Sequence, residues 1–107
     1  MIVATTNDLA GYRIVEHLGV VRGVTVRSRN IIAGFGAMLQ TLVGGNITIY
    51  TKLAEQARQE AHDLLVAHAE AAGANAILAM RYDANEISAG VTEVLAYGTA
   101  VRVEKEE

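Results

Sequence analysis

The stretch ITIYTKLAEQARQEAHDLLVAHAEAAG, residues 47–73, decides the fold. Ile47, Tyr50, Ala54, Ala57, Ala61, Leu64, His68 and Ala71 recur in alternating steps of three and four, and Leu53, Leu65 and Ala72 widen the stripe. Lys52, Glu55, Gln56, Gln59, Asp63 and Glu70 fall mainly on the other side. The spacing predicts one long amphipathic helix that ends at Gly73, because glycine stops a helix without a Cβ penalty. The alanines on the stripe let this helix approach a sheet or another helix closely.

Strands are expected on both sides of it. Ile2-Val3-Ala4-Thr5-Thr6 reads as a short strand, closed by Asn7-Asp8 and a loop to Gly11. The β signal resumes at Tyr12 and is strongest from Gly19 to Arg27. There Val20, Arg22, Val24 and Val26 share one face, while Val21, Gly23, Thr25 and Arg27 share the other. Both faces are mixed, as in a strand with the core on one side and a neighbouring subunit on the other. After the helix, 76–82 and 91–103 read as two strands joined by a hairpin connection over 84–90.

A shorter helix is expected before the long one. Asn30 can cap it, and Ile31, Phe35, Met38 and Leu42 recur at helical spacing, beside Ile32, Leu39 and Val43. Gly44-Gly45 ends it. The order β-β-α-α-β-β groups strands rather than alternating them with helices. The expectation is therefore a single α+β domain over 1–107: an antiparallel sheet of about four strands, with one long and one shorter helix packed on it.

Composition narrows the function. Nine basic and twelve acidic side chains give a formal charge of −3. With Glu104, Glu106, Glu107 and Lys105 set aside, eight basic and nine acidic side chains remain. A near-neutral body without a basic block argues against nucleic acid or an anionic membrane as the main partner. The absence of cysteine excludes a disulfide framework, a thiolate nucleophile and any cysteine-based zinc, iron–sulfur or soft-metal site. A hydrophobic fraction of 51% and mean hydropathy of +0.24 are high for so short a chain, so a membrane or a partner subunit should cover part of the surface. The uncharged run from Asn30 to Thr51 contains Gln40, Asn46, threonines and Gly44-Gly45, and its apolar part, Ile31 to Val43, has the length of a core helix rather than a membrane span. The first residues also lack a basic segment of the kind that opens a secretory signal. A cytoplasmic homo-oligomer is the expectation.

Candidate polar sites are few. Arg22, Arg27 and Arg81 sit in largely aliphatic strands, where an unpaired charge is expensive. They must reach solvent, an acid such as Glu93 or Asp83, or a bound anion; with Tyr82 and Tyr97 they are the ligand-binding candidates. Gly44-Gly45-Asn46 before a helix could present N–H groups to an anion, but lacks the lysine and hydroxyl of a phosphate loop. The metal candidates are His17, His62, Asp83 and Glu86. Neither His62 nor His68 has a carboxylate or imidazole three or four residues away, so the helix carries no ligand pair. His62 reads as solvent-facing and His68 as half-buried on the stripe, and 83–86 also reads as a solvated turn. Ser28 and Ser88 lie in no nucleophile elbow, and Gly34-Phe35-Gly36 is not a dinucleotide fingerprint. No catalytic constellation emerges, and the expectation is a protein without enzymatic activity.

Several stretches together resemble a known family: Gly19-Val20-Val21-Arg22-Gly23, Arg29-Asn30, Val43-Gly44-Gly45, Tyr50-Thr51, Ala57-Arg58, Ala61, Gly73-Ala74-Asn75-Ala76 and Ala96-Tyr97-Gly98-Thr99-Ala100-Val101. Their order and spacing are similar to the YbjQ family of small bacterial proteins, which carries a heavy-metal-binding label, and the match spans essentially the whole chain. The resemblance implies a dodecin-like α+β fold in a homo-oligomeric ring, a pentamer. Leu9-Ala10-Gly11, where the family has proline before glycine, and Ala33-Gly34, where it is more polar, depart from the pattern. The resulting expectation is a non-enzymatic module that binds a small ligand or a protein and needs no cofactor. The alternative is a divalent heavy metal held between subunits.

Overall fold

The structure is a computed structural model that describes residues 1–28 and 47–107. Its elements are β1 (Ile2–Val3), β2 (Tyr12–Ser28), α1 (Ile47–Ala71), β3 (Ala76–Ser88) and β4 (Val91–Lys105). The strands form one sheet in the order β1-β3-β4-β2. β3 and β4 make a long antiparallel hairpin, β2 lies antiparallel to β4, and β1 runs parallel to β3. The sheet is therefore mixed, not antiparallel as expected. The first strand is also shorter than expected: beyond Val3 the chain stays hydrogen-bonded to β3 through Ala4 and Thr6, but around the irregular Ala79-Met80 step rather than in a regular ladder, before it crosses to the far edge where β2 begins. On that path Ala4, Leu9, Tyr12 and Ile14 pack against Ala76, Leu78, Val101 and Val103, forming a small core on one face of the sheet.

The long helix covers the other face. Its buried line is Ala57, Ala61, Leu65 and Ala69, each 4% exposed or less. This line steps by four and is rotated from the expected stripe, leaving Leu64 and His68 exposed beside the β2 edge. The reason is close approach. A Cβ built at Gly23 would fall onto the Ala61 carbonyl oxygen and lie 2.6 Å from the Leu65 nitrogen, so the helix backbone rests directly on the strand. Thr25 adds a hydrogen bond from its hydroxyl to the Ala57 carbonyl, 3.2 Å. Ile77, Met80, Val94, Ala96 and Ala100 complete this core from the sheet. The helix ends as expected: Gly73 takes φ +88°, Ala74 N–H donates to the Ala69 carbonyl and Gly73 N–H to that of Glu70.

Two features of β3 depart from the sequence reading. Residues 84–88, expected as a loop, continue the ladder with Ala84 opposite Val94 and Glu86 opposite Thr92. The reversal needs only Ala89-Gly90, with Gly90 at φ +75°. Ladder pairing thus overrides the turn chemistry of Asp83 and Asn85. The second feature is a bulge at Ala79-Met80, between the pairs Leu78–Thr99 and Arg81–Tyr97. Ala79 sits at φ +54°, an unusual conformation for alanine, held by its N–H on the Thr6 carbonyl (2.8 Å). Gly98 lies opposite, where a Cβ would come 2.7 Å from Ile77 Cγ2.

The expected shorter helix from Asn30 to Val43, its glycine stop and the Gly44-Gly45-Asn46 segment lie outside the described residues. Among the described residues no helix is long and apolar enough to cross a membrane.

Candidate functional site

Sheet register settles which candidates meet. Tyr97 is the partner of Arg22 on one side and of Arg81 on the other, so these three residues form one row across β2, β4 and β3. Partners in a row share a face. The row lies on the side away from α1, since Gly23 and Thr25 hold the helix side. Val20, Val24 and Val26 share that helix-free face with Arg22, at 79%, 39% and 49% exposure. The N-terminal crossing covers only the other half of this face, leaving the row and these valines open among the described residues.

The three arginines satisfy their charge in three different ways. Arg27 reaches over the helix side and pairs with Glu60 of α1. That acid was not among the expected partners, because nothing in the sequence aligns a residue of the helix with one of the strand. Arg81 donates to the Thr5 and Met80 carbonyls, both at 2.8 Å, and so pins the N-terminal crossing to the bulge rather than meeting Glu93 or Asp83. Arg22 has an exposed guanidinium with no partner among the described residues. Its backbone carbonyl is engaged by His68 Nδ1 at 2.6 Å. Because a carbonyl only accepts, this contact places the proton on Nδ1. His68 is thus an exposed residue with a structural hydrogen bond, not a half-buried one.

Tyr82 stands on the opposite face from Tyr97, where the Arg58 guanidinium lies 5.8 Å from its ring centroid. Arg58 is a contact that the sequence reading missed. Its signal was present only as a cation on the helix flank.

The metal candidates do not gather. His17 pairs with Val101 and Glu86 with Thr92, which places them about 30 Å apart along the sheet at ~3.3 Å per residue. Asp83 lies on the helix-free face and Glu86 on the other, by strand alternation. Each carboxylate accepts a local backbone N–H, from Ala84 and Gly90 respectively, both at 2.9 Å. His62 is on α1 with its side chain 30% exposed, so it is half-buried rather than solvent-facing; its Nδ1 is enclosed without a hydrogen-bond partner, 3.9 Å from Asp63. Among the described residues no three histidines or carboxylates converge. A single copy of this chain therefore offers no built heavy-metal site in its described part, and soft metals favour the thiolates it lacks.

Comparison with known proteins adds kinship. Residues 1–104 match the model of the YbjQ family, described as "Putative heavy-metal-binding". A UPF0145 protein of Burkholderia orbicola is 60% identical over 101 residues, covering 94% of this chain and 84% of that protein. A UPF0145 protein of Solibacter usitatus is 57% identical, covering 94% and 90%. A crystal structure of a protein of unknown function of the DUF74 family, from Pediococcus pentosaceus, superposes with a TM-score of 0.62. It is 19% identical and covers 97% of this chain and 98% of its own, a likeness of fold.

Proposed function

The chain belongs to the YbjQ family, and from that footing we propose that it acts as a non-enzymatic, self-assembling binding module of the cytoplasm, whose contact surface is the helix-free side of the sheet. The observation that carries this reading is that open half-face. Val20, Val24 and Val26 flank the Arg22–Tyr97–Arg81 row with nothing over them among the described residues. Shape supports it as well. The radius of gyration is 17.2 Å, against about 13 Å for a compact domain of this length. An extended sheet with one helix leaves apolar area that a second copy can bury, and the family resemblance implies a ring of five copies. A small ligand entering at a junction between copies would meet Arg22 and Tyr97 on one face, and Arg58 and Tyr82 on the other. No cofactor is required for this role.

Native mass spectrometry of the protein as isolated, before and after a chelator, tests the reading. A defined multiple of the protomer with no chelator-sensitive mass is the expected result. A complex that loses mass to the chelator would instead favour a metal held between subunits, with His17, His62, Asp83 or Glu86 contributed by different copies.

A further inference from the structure

The sheet has two open edges of different character. β1 covers β3 only at Ile2–Val3, and the crossing extends that cover through Ala79 N–H on Thr6 and Met80 N–H on Ala4. Beyond Met80, no described strand lies outside Arg81–Asn85. On the far side, β2 is the outermost strand. Two of its carbonyls are already taken, that of Arg22 by His68 and that of Val26 by the Arg27 side chain at 3.3 Å. Side chains therefore already compete with a backbone ladder at these two positions.

The charges on these edges sort themselves. Arg13 pairs with Glu104, Glu16 with Arg102 and Arg27 with Glu60, while Arg81 is tied to carbonyls. On the helix-free face of the two edge strands, what remains is a cation on β2 and an acid on β3; Glu86, which meets only the Gly90 N–H, stands on the helix side. Arg22 on β2 has no partner among the described residues, and Asp83 on β3 meets only the Ala84 N–H. Both stand on the helix-free face, because Arg22 shares a row with Arg81 and Asp83 lies two residues further along β3. A two-fold join of β2 to β2 brings no free acid to Arg22, since Glu16 is engaged by Arg102.

Resting on the self-assembly proposed above, the geometry points to a head-to-tail junction in which the β2 edge of one copy lies against the β3 edge of the next, with Arg22 meeting the partner's Asp83. A level join would set Arg22 beside the partner's Arg81, two like charges. An offset of two residues sets it beside the partner's Asp83 instead, and brings Val26 toward the partner's Ile87, both about half exposed. Closing a curved sheet requires such a stagger. Because unlike edges meet, the contact is heterologous and repeats until it closes into a ring.

Charge reversal tests the pairing in the full chain. Arg22→Glu and Asp83→Arg alone should each weaken assembly by about tenfold or more in analytical ultracentrifugation. The double variant should return most of that loss. Both side chains are exposed, so circular dichroism should be unchanged throughout. Single variants that assemble like the wild type, or a double variant in which the losses add, overturn the junction while leaving self-assembly standing. A monomeric wild type overturns both. An Arg22→Cys, Asp83→Cys double variant in this cysteine-free chain gives an independent readout: oxidation should link copies into covalent ladders, and a product that stays monomeric on a denaturing gel contradicts the pairing.

Discussion

Gly23 shows how much one hydrogen atom in place of a side chain can decide. The helix rests on the strand at that point, with the Leu65 nitrogen 2.6 Å and the Leu64 Cβ 2.9 Å from where a Cβ would be. The nearest atoms are mostly helix backbone, which cannot swing aside as a flexible side chain can. Gly23→Ala should therefore push the helix off the sheet and cost about 1–3 kcal/mol, the usual penalty of overpacking. A denaturant midpoint equal to that of the wild type would contradict the close approach. Gly98 plays a related part opposite the Ala79 bulge, where β4 must pass close to Ile77. The sequence showed Gly23 only as a gap in a valine run and Gly98 only as part of a motif. Their reason is a neighbour distant in the chain, which strand alternation does not reveal.

At the scale of elements, the helix was legible almost to the residue and its orientation was not. Apolar steps of three and four mark two adjacent lines on the same helix, and only the tertiary contact with Gly23 selects Ala57, Ala61, Leu65 and Ala69 over Leu64 and His68. Ala61, common to both lines, is fully buried. Ala61→Asp would place a carboxylate against β2 with no cation partner. Loss of the folded state, or of soluble expression, is the expected outcome; a soluble variant with the wild-type circular dichroism and thermal midpoint would show that the helix faces elsewhere. The hairpin was legible as a pair of strands but not in its length. Asp83, Asn85 and Glu86 carry turn chemistry, yet the ladder with β4 persists to Ser88, because pairing with a long neighbouring strand satisfies more backbone groups than a local turn does. β1 was legible as a strand but its parallel direction was not, since direction depends on where the chain goes next.

At the scale of the molecule, the described residues show where part of the apolar surface stands exposed. The 51% hydrophobic content said only that something should cover part of the chain. Among the described residues, Val20, Val24 and Val26 stand exposed on half of one sheet face, and the register draws Arg22, Tyr97 and Arg81 from three separate segments into one row. The same register scatters His17, Asp83 and Glu86, so the family's metal label gains no support from the described residues of a single protomer. Val24 lies at the centre of the open half-face, 39% exposed and away from α1, so a charge there should spare the fold and disrupt contacts between copies. The decisive measurement is the molar mass of the wild type and of Val24→Asp by light scattering, with circular dichroism as the control. The account predicts a wild type at a multiple of 11.4 kDa and a folded variant that falls toward the single-chain mass. A wild type of one-chain mass, or a variant that keeps the wild-type multiple, would contradict it.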